Sequence, residues 1–193
     1  MIGAAAGSGA GLVLCTETFS TGFAVAEPGL GEPEAGPSSQ FLADCAAEHG
    51  VWVGGTCPEI PAGASEGDQR PANTFVLAGP DGTVHRYRKI HPFTFGGEER
   101  SFRAGTEFVT VDIEGLRVSL FVCYDLRFAD EFWRLADETD IYLVPANWPD
   151  KRRLHWMSLL QARAIENQAY VADVTAEKVA DTRDHFRFLQ DRR

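Results

Sequence analysis

No stretch of this chain approaches the roughly twenty continuous apolar residues that a membrane-spanning helix needs. Gly, Pro or a charged residue interrupts every long apolar run. The N-terminus has neither a basic start nor a Leu-rich run, so a secretory signal is not expected. Basic residues are in the minority, 18 against 28 acidic ones, and the formal net charge is −10. A field of that sign repels phosphate backbones and anionic lipid, so neither nucleic acid nor a membrane is an expected partner. Cysteines are few, and the four present (Cys15, Cys45, Cys57 and Cys123) show no CxxC or CxxxC spacing. That argues against a zinc site or a disulfide frame. A soluble chain in the reducing cytoplasm is the expectation. What is present, 44% hydrophobic and 24% charged residues over 193 positions, is the profile of one globular domain with a real core and no internal repeat.

Along the chain, residues 11–15 form a short apolar run that predicts a buried strand leading into a polar turn at 16–21. Residues 26–39 read as a Pro/Gly/Glu-rich loop, after which Ser38 or Ser39 caps a helix ending near Gly50. A second buried strand is expected at 51–55, then a loop to Arg70 long enough to line a site. Residues 73–89 have the form of a β-hairpin around Asp81-Gly82, and 108–113 with 116–123 form another strand pair. Helical spacing at 128–136 and 152–168 brackets a strand at 141–145, and a last strand is expected at 170–174. Alternating strands and helices predict an α/β layered fold.

Three residues stand at expected strand ends: Glu17, Lys89 and Cys123. Active sites of α/β sheets collect at such ends. A cysteine at a strand-to-helix turn presents its sulfur outward, beside backbone N–H groups able to hold an oxyanion. An ammonium alongside would lower the thiol's pKa, and a carboxylate would take its proton and return it to a departing amine. The set suffices for acyl transfer. Taken singly, a cysteine ending a buried strand is more often an inert core residue, and Glu17 and Lys89 would be solvated surface groups.

The wording around these residues separates the readings. Glu17-Thr18-Phe19-Ser20-Thr21-Gly22-Phe23, Tyr87-Arg88-Lys89-Ile90-His91-Pro92-Phe93 and Cys123-Tyr124-Asp125-Leu126-Arg127-Phe128 resemble, in order, the glutamate, lysine and cysteine motifs of the nitrilase, or carbon-nitrogen hydrolase, superfamily. The resemblance implies an αββα sandwich and a Glu-Lys-Cys triad. In that triad Cys123 attacks the amide or nitrile carbon, Glu17 is general base and acid, and Lys89 stabilises the tetrahedral intermediate. The Tyr124 N–H completes the oxyanion hole, and Glu98 fills the place of the family's second glutamate, with Glu99 as the competing choice. No metal or organic cofactor is implied. The segments 145–149, 154–156 and 161–168 are similar to the ω-amidase-like branch, which deamidates short dicarboxylic acid monoamides. Trp148 and Asn147 are then expected at the substrate, and Trp148 fits ordinary core packing equally. Arg127 is read either as a partner for a substrate carboxylate or as a brace for Asp125 or another acid. Helix 152–168 is expected to face a partner subunit in a homodimer or higher oligomer.

The resemblance runs over residues 11–174, which read as the hydrolase domain. Residues 1–10 are a Gly/Ala-rich segment without a helical or alternating pattern, and 175–193 a divergent charged tail, helical or disordered. The family's first strand and helix and its C-terminal strands are expected to be missing, leaving an incomplete sandwich such as a fragment or a frame shift near Val174 would produce. N-carbamoyl hydrolysis, nitrile hydrolysis and a non-catalytic degenerate domain stand as alternatives to amide hydrolysis.

Overall fold

The computed structural model describes residues 1–25, 27, 29–175 and 187–189. In chain order these form α1 (Ile2–Gly7), β1 (Leu12–Leu14), β2 (Glu32–Pro33), α2 (Pro37–His49), β3 (Trp52–Ile60), β4 (Ala72–Ala78), β5 (Val84–Arg88), α3 (Glu98–Ser101), β6 (Thr110–Ile113), β7 (Leu116–Leu120), α4 (Ala129–Arg134), β8 (Ile141–Ala146), α5 (Arg153–Asn167), β9 (Tyr170–Thr175) and β10 (Arg187–Leu189). Two five-stranded sheets result. One runs β1-β3-β4-β5 with β2 also on β3, and the other β10-β9-β8-β7-β6.

β1 lies parallel to β3, while β3, β4 and β5 form an antiparallel meander. In the second sheet β7, β8 and β9 are parallel, with β6 and β10 antiparallel at its edges. Alternation along β4 sorts its side chains to two faces. Val76 and Ala78 pack with Val53 against Leu42 and Ala46 of α2, and Ile2, Ala5 and Ala6 of α1 close that layer. Phe75 and Leu77 share a second cluster with Tyr87, Leu120 and Phe121, and with Trp156 and Leu160 of α5. The Tyr87 and Phe121 rings, 5.9 Å apart, join the two sheets. The order of layers is helices, sheet, sheet, helix.

Several elements differ from the sequence expectation. β3 reaches Ile60 instead of ending at Gly55. Its Gly54, Gly55 and Pro58 look like breakers, yet a Cβ on Gly55 would lie 2.8 Å from that of Cys15, so close packing of β1 on β3 requires glycine there. Pro58 falls between the part of β3 that pairs with β1 and the part that pairs with β2, where a missing donor costs no ladder bond to either. α2 starts at Pro37, with Gly36 rather than a serine at the cap. Its first turn is held by Glu32, whose carboxylate accepts from the Ser38 N–H at 2.8 Å and from the Ser38 hydroxyl at 2.7 Å, an anion placed at the positive end of the helix.

Residues 1–10, read as patternless, contain α1, a helix stabilised by docking on α2 and not by its own period. In the expected charged tail, β10 pairs with β9. The rest of the tail lies outside the described residues.

Candidate active site

Glu17 is held by both sheets. Cys15 donates its N–H to the Gly54 carbonyl at 2.7 Å, at the end of β1. The next residue but one donates its own N–H to Ala146 at the end of β8, at 3.4 Å. Thr18 then turns the chain away in the left-handed region, with φ of 45°, its N–H bound by the Thr56 hydroxyl. Glu17 is 1% exposed. Oε1 accepts from the Lys89 ammonium at 2.8 Å and from the Asn73 amide at 2.9 Å, and Oε2 accepts from the Asn147 backbone N–H at 2.8 Å.

Lys89 follows β5, its N–H donated to the Asn73 carbonyl and its carbonyl accepting from the Gly105 N–H. A Cβ on Gly105 would lie 2.0 Å from the Arg88 carbonyl oxygen, so glycine is required for this approach. The ammonium is buried and reaches a second carboxylate, Oε2 of Glu98, at 2.8 Å. Burial opposes its charge, but Glu17, Glu98 and Cys123 outweigh burial and hold the lysine above its ordinary pKa. Of the two glutamates in α3, Glu98 is fully buried against Lys89. Glu99 points outward to Arg100.

Cys123 opens a 3-10 turn, residues 123–127, three residues beyond the end of β7, which stops at Leu120 and not at the cysteine as expected. Its φ of 46° is unusual for a side-chain-bearing residue, as at the sharp elbows that present a nucleophile. Asp125 fixes the turn. It accepts from the Val122 N–H at 2.9 Å, the His91 N–H at 2.9 Å and the Tyr87 hydroxyl at 2.8 Å. The Cys123 thiol contacts the Glu17 carboxylate and the Asn147 N–H. Burial and the Glu17 charge raise its pKa, and Lys89 only partly offsets them. The lysine acts on the thiol in the expected direction, lowering its pKa, but burial and the Glu17 charge outweigh it.

Burial pushes the Asp125 carboxyl up to about 7, against the donors that favour its charge. A raised carboxyl binds a proton in the folded state that the unfolded chain has lost, so its stabilising contribution is complete below about pH 3.8 and lost as pH rises through 7. Asp125→Asn loses hydrogen bonds costing about 1–3 kcal/mol. Its stability deficit is expected to narrow between pH 4 and pH 7 in thermal melts; a constant deficit would contradict this.

The sulfur opens onto a cavity lined by Phe23, Phe93, Tyr124, Arg127, Asn147, Trp148, Pro149 and Arg152. Tyr124, in the first turn after the sulfur, belongs to a class of N–H groups without a partner inside the helix. The Arg127 guanidinium stacks over the Trp148 ring at 4.9 Å and the Tyr124 ring at 6.0 Å. It braces no acid among the described residues, since Asp125 is bound by other donors. Trp148 serves core and cavity together, packed 4.9 Å from Trp156 and donating its indole N–H to the Arg152 carbonyl at 2.9 Å. Asn147 lines the cavity, and its backbone N–H binds Glu17.

Sequence reasoning missed Asn73, which donates to both Glu17 and Glu98. The alternation of β4 puts this amide on the same strand face as Phe75 and Leu77, which marks it as buried but not what it binds. It also missed the aromatic walls Phe23 and Phe93, whose rings stand 6.4 Å apart.

The profile of the family described as carbon-nitrogen hydrolase matches residues 1–184. A Yersinia enterocolitica protein named Omega-amidase YafV is 39% identical over 179 residues, 91% of this chain and 65% of its own length. A Bacillus subtilis protein named 2-oxoglutaramate amidase is 34% identical over 170 residues, 84% of this chain and 62% of its own length. The chain thus spans somewhat less than two thirds of these relatives. Among solved structures, XC1258 from Xanthomonas campestris, described as a CN-hydrolase superfamily protein with an arsenic adduct in the active site, superposes with a TM-score of 0.79 at 33% identity, over 90% of this chain and 67% of that one. A profile match spanning nearly the whole sequence, with a relative this similar, shows that the chain belongs to the carbon-nitrogen hydrolase family.

Proposed function

We propose that the protein hydrolyses the terminal amide of a short dicarboxylic acid monoamide, releasing the acid and ammonia through a thioester on Cys123. The observation that carries this reading is the buried Glu17–Lys89–Glu98 cluster against the Cys123 thiol, with the Arg127 guanidinium, which meets no carboxylate among the described residues, lining the same cavity. Relatives named ω-amidase and 2-oxoglutaramate amidase support the substrate class.

In this scheme Glu17 takes the thiol proton as Sγ bonds to the amide carbon, so the nucleophile is charged only during attack. The carbonyl electron pair moves onto oxygen, which Lys89 Nζ and the Tyr124 N–H stabilise. Glu17 returns the proton to nitrogen, the C–N bond breaks and ammonia leaves. Water then attacks the thioester, giving its proton to Glu17, and collapse restores the thiol and the acid. Glu98 keeps Lys89 charged and in place. No external oxidant, reductant or metal enters this balance.

Trp148 and Asn147 form the wall for the short carbon chain, and Arg127 pairs with the far carboxylate. Residues 11–174 carry this machinery, with 1–10 and 175–193 outside it. The enzyme is placed in the cytoplasm as a homodimer or higher oligomer through the outer face of α5, a reading supported by exposed Leu154 and Ile165. The test is ammonia release from a panel of carboxylated ω-amides, neutral amides, N-carbamoyl compounds and nitriles. Arg127→Leu should raise KM about ten- to hundredfold for carboxylated amides, the worth of a charged hydrogen bond, and leave neutral amides unchanged. Preference for nitriles or N-carbamoyl compounds, or an Arg127→Leu effect equal on all amides, would overturn the reading.

A further inference from the structure

Two buried side-chain oxygens next to the Glu17 carboxylate have no partner among the described residues, Thr18 Oγ1 and Asn73 Oδ1, and only the second belongs to a group that also bonds the carboxylates. Asn73, at the start of β4, is 1% exposed. Its Nδ2 donates at 2.9 Å to Oε1 of Glu17 and at 2.9 Å to Oε1 of Glu98. Its Oδ1 is buried without a partner among the described residues. The orientation is fixed by chemistry, because the flipped amide would aim an acceptor at two carboxylate oxygens. An orphaned buried acceptor is costly and is kept where the rest of the group is fully used. Two carboxylates here share a single ammonium, so the cluster carries an excess negative charge beside the sulfur. Replacing a carboxylate's donor shifts where that charge is held.

We infer that Asn73 is a positioning residue that orients Glu17 toward Cys123, by tying its Oε1 to Glu98 through one neutral amide that donates to both. A second cation at this position would compensate the charge but would compete with Lys89 for the same oxygens. An amide supplies two donors without adding charge. This inference rests on the proposed role of Glu17 as the base. The charged and titratable groups facing the cluster are Glu17 from the turn after β1, Lys89 after β5, Glu98 on α3, and Cys123 and Asp125 in the turn after β7.

Two variants test it. Asn73→Ser keeps one donor in a smaller side chain, and Asn73→Asp keeps the shape while replacing both donors by a third carboxylate. The readouts are the pH profile of kcat/KM for ammonia release and, independently, the pH profile of Cys123 alkylation by iodoacetamide, followed by mass spectrometry. Asn73→Ser is expected to move the acid limb of kcat/KM up by about one pH unit, lowering the rate about tenfold on that limb with KM within twofold. Asn73→Asp is expected to lose at least about a hundredfold in kcat at neutral pH. In both variants the alkylation profile should shift relative to the parent. An acid limb and an alkylation profile unmoved in folded Asn73→Ser would overturn the inference, and so would loss of rate that tracks the fall in melting temperature alone. If the parent itself releases no ammonia, the amidase reading fails. The alkylation profile alone then decides whether Asn73 controls the charge beside the sulfur.

Discussion

Cys123→Ala is expected to abolish ammonia release, a fall of at least about 10⁴-fold, in line with the removal of other enzymic nucleophiles. No second thiol replaces it. Cys15 and Cys57 lie in the cluster beneath the other face of the first sheet, and burial lifts the Cys15 thiol to about 11. The loss should come without unfolding. Alanine meets the same backbone strain as cysteine at a φ of 46°, and the turn is bound through Asp125 rather than through the sulfur. Stability should therefore change by no more than about 1 kcal/mol. Removing the thiol also removes the group whose charge Glu17 opposes. Retained activity in Cys123→Ala would place the chemistry elsewhere. A collapsed melt would show that the thiol contributes to packing beyond its volume.

Lys89→Met is expected to be the most destabilising single change in the site. Methionine fills nearly the same space, but two buried carboxylates that each bond the ammonium at 2.8 Å are left without a cation. Breaking such a buried network costs about 3–5 kcal/mol, and activity should vanish with the oxyanion's partner. The pH dependence supplies a signature. In the parent, Lys89 is held above its ordinary pKa, so its contribution is complete below the ordinary lysine range and is lost only as pH rises past it. Across neutral pH that contribution is flat. In Lys89→Met the folded state must instead bind a proton between Glu17 and Glu98 that the unfolded chain releases. Its stability should then fall as pH rises from about 5 to 8. Chemical denaturation at several pH values measures this. A loss below 1 kcal/mol with no added slope would show that the carboxylates find other partners.

The parts of the site visible in the sequence are those carried by local wording. Glu17 and Cys123 each follow a short apolar strand and Lys89 follows the second strand of a hairpin, and each motif places its residue just past the strand end. Glu98 could be distinguished from Glu99 only as a choice, because what separates them is the direction each takes from a single turn of helix toward Lys89 or toward Arg100. Asn73 was illegible as a functional group. Its partners are 56 and 25 residues away, and an amide in an apolar strand has no period that announces them. Asn147 illustrates the same limit, since the atom that binds Glu17 is its backbone N–H and carries no side-chain signal.

In the fold, period and turn chemistry gave the hairpin at Asp81-Gly82 and the helix of α5 within a residue or two. They failed where tertiary packing overrides local preference. Gly55 reads as a stop and is a close contact between strands, and residues 2–7 read as formless and become helical by docking on α2. Glu32 caps a helix from outside it, which a scan for serine at the first turn cannot find.

A covalent acyl group on Cys123 is visible to acid-quench mass spectrometry. The parent chain is mixed with a short carboxylated ω-amide, quenched within the first turnover and digested. A peptide containing Cys123 is expected to be heavier by the acyl group, a mass absent from Cys123→Ala and lost on longer incubation as free acid appears. Ammonia release at full rate with no mass added at Cys123 at any time would contradict it.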